Sequence, residues 1–335
     1  NHDRLTVMGE ACDRRHQVAF DGFLRQVAHQ HFVELDEVGL ELRQDMESAV
    51  PGPHVVDGDL ETRPPHLAQG FAERLPVGDR HPLGDLARLA EEDQVVADDL
   101  VQVLEDDRAV VYWFTYTREG GQRWLIGTGT IRGSRIAVSD LYDASGGRFG
   151  DDFDPLQVRL TARGSLEIAF RNCSEAVVNY LVDGTAGHQS LGRLTQLAGH
   201  RCDQAETRPS PELSGSWYDP ARNGQGFVVE QLDAETAVVY WFTYDSEGRQ
   251  AWMVATGTVD GNRIHFAELA RPVGGLFGRS FDPESVRREP WGEMHLQLDC
   301  SGGAAGYTPI AEGFSSGSQS LVPLLRLRRS TCSAP

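Results

Sequence analysis

Lysine is missing from the chain altogether: all 31 basic side chains among its 335 residues are arginine, a bias that reflects GC-rich coding and assigns no function. Positive charge is scarce as well. The formal net charge of −19 comes from carboxylates spread along the sequence, and such a surface repels phosphate backbones and anionic lipid headgroups. Nucleic acid is therefore not an expected partner. No apolar run approaches the roughly 18 residues a bilayer-spanning helix needs, so no membrane span is expected. The opening Asn1-His2-Asp3-Arg4 has neither an initiating methionine nor a signal-peptide core, which puts the expected natural start upstream.

Residues 1–100 lack Trp, Tyr and Ile, abound in Asp, Glu, Arg and His, and hold little periodicity at either 3.6 or 2. Their best helical stretch is 16–31, where Val18, Phe20, Phe23, Leu24 and Val27 fall roughly on one face. Residues 1–99 read as a poorly ordered or partly helical acidic segment, or as an artefact of gene prediction or assembly. A genuine acidic helical domain is the competing reading.

Beyond residue 100 the character changes. Ala109 to Tyr116 (AVVYWFTY) recurs identically as Ala237 to Tyr244, an offset of 128 residues. The same offset carries Trp124 onto Trp252, Thr128-Gly129-Thr130 onto Thr256-Gly257-Thr258, and Phe153-Asp154-Pro155 onto Phe281-Asp282-Pro283. After a slip of a residue or more, Cys173, Tyr180 and Cys202 meet Cys300, Tyr307 and Cys332. Two units make a tandem duplication and not a solenoid.

Each unit has β-branched and aromatic residues in short runs broken by Gly, Asp and Asn, the pattern of antiparallel strands joined by tight turns. In the second unit, strands are expected around Trp217 and over 226–232, 236–244, 250–258, 263–269, 293–300 and 319–328. That count suits a meander closing into a small barrel or sandwich. Asp245 to Arg249 reads as a five-residue hairpin loop with Gly248 at positive φ, and Asp260-Gly261-Asn262 as a tight turn. Along 238–244, Val238, Tyr240, Phe242 and Tyr244 alternate with Val239, Trp241 and Thr243, so both faces carry bulk. Such a strand is central in its sheet or has its outer face covered.

The repeat is incomplete. The second unit opens with Ser214-Gly215-Ser216-Trp217-Tyr218-Asp219-Pro220 and runs on through Asn223-Gly224-Gln225-Gly226-Phe227. At the matching offset the first unit has Leu89, Ala90, Glu91 and Glu92, and similarity starts only near Leu100-Val101. A foreign segment stands where the first strand and loop should be. The expected divisions are 1–99, a first β unit over 100–204 truncated at its start, and a second over 213–332.

With these two motifs, the opening segment and the VVYWFTYDSEGRQAW stretch, the chain resembles an uncharacterised β-repeat domain of exported proteins of GC-rich Proteobacteria. The resemblance covers 214–332 and, apart from the lost opening, 101–202. It implies an all-β fold and an extracellular or periplasmic location, and supplies no reaction and no catalytic residues.

By position within the units, Cys173 pairs with Cys202 and Cys300 with Cys332, each closure contributing about 3 to 4 kcal/mol. Cys12 is left over. Gly313-Phe314-Ser315-Ser316-Gly317 matches a nucleophile-elbow pattern but sits between antiparallel strands and lacks the strand-to-helix setting that motif requires. His29 and His31 lack further ligands at convincing spacing, and His265 and His295 are Ala137 and Glu167 in the first unit, so no metal site and no cofactor are expected. Asp154 and Asp282, each before Pro, read as turn residues, with a paired-carboxylate site as the functional alternative. Trp113, Tyr116, Trp124, Trp217, Tyr218, Trp241, Tyr244 and Trp252 are the candidate binding set, since planar rings with polar tips stack on sugars and grip extended peptides. The same rings fill small β-barrels, and core packing is the stronger expectation for them. The reading is a non-catalytic extracellular binding module for a glycan, an envelope component or a protein. A carboxylate-dependent secreted hydrolase and a structural spacer of an exported protein are its rivals.

Overall fold

The computed structural model describes residues 98–104, 107–200, 211–325 and 327, all of which belong to one compact unit, Ala90–Pro335. The expectations placed on residues 1–97, the helical stretch and His29 and His31 among them, lie outside the described residues. Among the described residues there is no α-helix, and short 3-10 turns join some of the strands.

Seven strands come first: β1 (Asp98–Val103), β2 (Arg108–Tyr116), β3 (Gln122–Arg132), β4 (Arg135–Ser145), β5 (Arg159–Phe170), β6 (Glu175–Val182) and β7 (Thr185–Gly192). Each pairs antiparallel with the next, and they form an open sheet in chain order. Eight follow: β8 (Gly215–Tyr218), β9 (Gly226–Gln231), β10 (Thr236–Tyr244), β11 (Gln250–Asp260), β12 (Arg263–Val273), β13 (Arg287–Asp299), β14 (Gly302–Pro309) and β15 (Gly317–Leu325). This meander closes, because β8 pairs with β9 on one side and with β15 on the other. Strands β1 to β7 match β9 to β15 in order, and the two hairpins β2–β3 and β10–β11 keep the same register, with Trp113 opposite Leu125 and Trp241 opposite Met253.

The hairpin turns follow from glycine. Gly248 and Gly261 hold φ of 83° and 60°, a region that costs a side-chain-bearing residue dearly. Inside the barrel, Trp241 packs on Phe227, Trp291 and Tyr307 with ring centroids 4.7 to 5.2 Å apart. Each such ring stabilises the fold by roughly 1.5 to 3 kcal/mol through removal of apolar surface from water. The sheet has its own core around Trp113, Leu125, Leu166 and Val178.

The all-β reading of two antiparallel meanders holds: one is a closed eight-stranded barrel, and the other, among the described residues, an open seven-stranded sheet. The reason is local. No described strand corresponds to β8 in the first sheet, so among the described residues no strand bridges β7 to β1.

Candidate functional site

The outer faces of β2–β3 and β10–β11 are pressed together, and the contacts between them come in reciprocal pairs. Gln122 donates from Nε2 to the Trp252 carbonyl at 2.7 Å and Gln250 to the Trp124 carbonyl at 3.0 Å. The amides of Trp124 and Trp252 donate back to the Gln250 and Gln122 Oε1 atoms. The Trp124 indole reaches the Thr243 carbonyl at 3.1 Å, and the Trp252 indole the Thr115 carbonyl at 3.3 Å. Phe114 stacks on Tyr240 at 5.3 Å, and Tyr112 packs on Phe242 at 5.4 Å. This is the covered outer face that the two-sided bulk of 238–244 predicts.

A second exchange links the two bodies. Phe149, between β4 and β5, enters the barrel core against Trp241, Tyr307 and Phe314, while Phe277, between β12 and β13, enters the sheet core against Trp113 and Tyr180. Their amides donate to the Asp245 and Thr117 carbonyls, both at 3.1 Å. The loops approach so closely that a Cβ on Gly147 or Gly275 would run into the ring of Tyr244 or Tyr116. The repeated Gly-Gly-x-Phe-Gly at 146–150 and 274–278 was the sequence signal for this exchange.

These contacts locate the eight aromatic candidates. Trp113 fills the sheet, Trp217 and Trp241 fill the barrel, and Tyr116, Trp124, Tyr244 and Trp252 lie between the two. All eight are buried, and the most exposed, Tyr218, shows 9% of its surface. None presents a ring to a ligand; their work is packing. Burial raises the phenol pKa of Tyr116 and Tyr244 well above the ordinary tyrosine value, and the nearby Asp143 carboxylate raises that of Tyr244 further.

The gap left by the missing strand is the first surface with a shape for binding. Among the described residues, β7 and the far side of β1 have no strand partner along their outer edges. The barrel shows what belongs there: Gly215, Ser216 and Trp217 pair with β9, while Tyr218, Trp217 and Ser216 pair with Val322, Pro323 and Leu325 of β15. Val229 and Leu321, buried beside β8, correspond to Val101 and Leu191, which are half-buried. Val103 and Leu194 are 38% and 49% exposed on the same rim. The side of β1 toward the barrel is covered, where Tyr112 and Ser216 hydroxyls lie 2.7 Å apart and Ser216 donates to Gln102 at 2.5 Å.

The sheet also carries a charge cluster. Arg123 bridges Asp143 and Asp183, at 2.8 and 2.7 Å, and Arg163 stands 3.5 and 3.9 Å from the same two carboxylates. Burial raises the Asp143 pKa, opposed by the Arg123 and Arg163 guanidiniums. The barrel has Ala251, Arg271, Trp291 and Ile310 at the matching places, so ion pairs cap one body where an indole caps the other. Two carboxylates a few ångströms apart suit acid–base chemistry, but here both are engaged by guanidinium, which is a structural arrangement. The replacement of Trp291 by Arg163 was readable at the 128 offset.

Asp154 and Asp282 sit far more plainly: each caps a 3-10 turn, accepting from the amides of Leu156 and Glu284 at 2.9 and 3.1 Å. Ser315 lies exposed between β14 and β15, both strands, so it has no elbow. Cys173 and Cys300, in the turns after β5 and β13, are in the disulfide-bonded state; Cys202 and Cys332 lie outside the described residues. His265 and His295 face each other across β12 and β13, their rings stacked 4.3 Å apart, with Glu293 beside them. No helix among the described residues is long and apolar enough to cross a membrane. Comparison with protein-family models, curated proteins and solved structures finds no match.

Proposed function

We propose that the chain is an exported, non-catalytic binding module made of two copies of one β-domain, and that the open edge of the first copy takes an extended segment of another protein as its missing strand. A single observation carries this reading: the second copy is closed by β8, and among the described residues the first has every neighbouring strand but that one. Addition of a strand to a free edge supplies main-chain hydrogen bonds for affinity and pockets for alternate side chains for specificity. By analogy with β8, the fitting occupant has the character of Gly-Ser-Trp-Tyr, small residues followed by an inward indole. A protein segment is favoured over a glycan because the rings that would stack on sugar are buried. Bonded Cys173 and Cys300 suit an oxidising compartment, and pairing them with Cys202 and Cys332 belongs to the proposal, as does the resemblance to exported proteobacterial repeats.

The test uses the full chain and a labelled peptide with the sequence of residues 214–227. Saturable binding, absent with a scrambled peptide of the same composition, is the expected result. Equal binding of the two peptides removes the edge reading and leaves the structural-spacer reading, which the burial of all eight aromatics favours.

A further inference from the structure

We infer that His265, Glu293 and His295 form a surface site for a late first-row divalent ion, zinc or copper(II), present in the barrel and absent from the sheet. The site is independent of the open edge: it lies on the outside of β12 and β13, where alternate residues point to solvent. The two imidazoles are direct cross-strand partners, and their rings are parallel to within 4° at 4.3 Å. Glu293 is two residues before His295 on the same face, on the side of the pair away from Arg263. One donor atom from each residue lies within 4.8 Å of the other two.

Tetrahedral zinc with bonds of about 2.0 to 2.2 Å holds its donors roughly 3.3 to 3.6 Å apart, so modest rotation of three exposed side chains closes the set. Imidazole with carboxylate selects zinc and copper(II) over magnesium and calcium, which prefer all-oxygen shells. The approach is open, since the residue opposite His295 on β14 is Gly306, where an added Cβ would meet nothing within 4 Å. Three protein donors leave a fourth position for water or a donor from another molecule. The overall charge of −19 attracts cations to the surface.

The sheet provides an internal control. Ala137, Ser165 and Glu167 occupy the matching places with the same cross-strand register, and Glu167 is engaged by Arg135 at 2.5 Å. The divergence at the 128 offset speaks against a site shared by both units and leaves one confined to the barrel untouched.

The experiment is titration of the chelator-stripped full chain with zinc chloride, and separately with copper(II), beside His265→Ala/His295→Ala and Glu293→Gln variants. Because all three side chains are exposed, the variants should keep the wild-type tryptophan emission. The double variant is expected to bind one ion fewer per chain, and Glu293→Gln to weaken binding roughly tenfold or more. Copper(II) should bind more tightly than zinc, and magnesium should not compete. Ala137→His, Ser165→Glu and Glu167→His together should add one site. The proposal is overturned if wild type and double variant take up the same number of ions with the same affinity, or if the wild type shows no saturable uptake.

Discussion

At the residue scale, the two phenylalanines exchanged between the bodies carry the sharpest consequence. Phe149 belongs to the sheet's chain segment but is a core residue of the barrel, and Phe277 is the converse. Each truncation to alanine should cost about 3 to 5 kcal/mol, the range for buried phenylalanine. Phe149→Ala should loosen the barrel's Trp241 and Tyr307, and Phe277→Ala the sheet's Trp113 and Tyr180. Denaturant unfolding monitored by tryptophan emission and by side-chain NMR checks both the size and the crossed location. Asp143 gives a prediction of opposite kind. Its folded pKa is raised, so the folded state holds that proton better than the unfolded chain does. The resulting stability is present below the ordinary aspartate value, about 4, and is lost as pH rises through the raised one. Carbonyl NMR titration should place its midpoint above the ordinary aspartate value. Single residues were legible where chemistry is local: Asp154 and Asp282 read as turn residues because an aspartate before proline caps its own turn. Phe149 and Phe277 were not singled out, because nothing in a loop phenylalanine says which of two cores it enters.

At the element scale, β10 and the Gly248 and Gly261 turns follow from alternation and turn chemistry alone, which are properties of neighbours in sequence. Strand β14 was missed, since Gly302-Gly303-Ala304-Ala305-Gly306 has almost no β-branched or aromatic residue and is held by register with β13 and β15. Strand β13 begins at Arg287, six residues before its expected start at 293, because the bulged pairing with β12 extends it through polar residues. The open edge was legible as a lost opening segment, whereas its exposed rim at Val103 and Leu194 required the fold. The edge yields a gain-of-stability prediction. Replacing residues 86–99 with the sequence of 214–227 supplies the strand that pairs on both sides in the barrel. The sheet should then close, the denaturation midpoint should rise, and the 214–227 peptide should no longer bind. A graft that folds yet leaves peptide binding unchanged places the peptide elsewhere.

At the scale of the whole molecule, sheet and barrel meet through a surface that is nearly the same on both sides. Gln122, Trp124, Tyr112, Phe114, Tyr116 and Phe149 on one half correspond to Gln250, Trp252, Tyr240, Phe242, Tyr244 and Phe277 on the other, so identical side chains stand on each half. That is the condition for an isologous contact, in which one patch is its own complement. Covalent linkage raises the effective concentration of the halves but creates none of these contacts. The barrel has a closed set of strands and a core of its own, so a fragment of residues 211–335 should fold while exposing Trp252, Phe242 and Tyr244. Two fragments can then cover each other as the sheet covers the barrel, with each Gln250 amide reaching the other's Trp252 carbonyl and each Phe277 crossing over. The fragment should sediment as a dimer, and Trp252→Ala, which deletes an indole from both sides at once, should return it to a monomer that keeps its strand content. A wild-type fragment that is monomeric and folded would mean that the match between the two halves is a relic of their sequence likeness, and that the linker, not the surface, holds the sheet against the barrel.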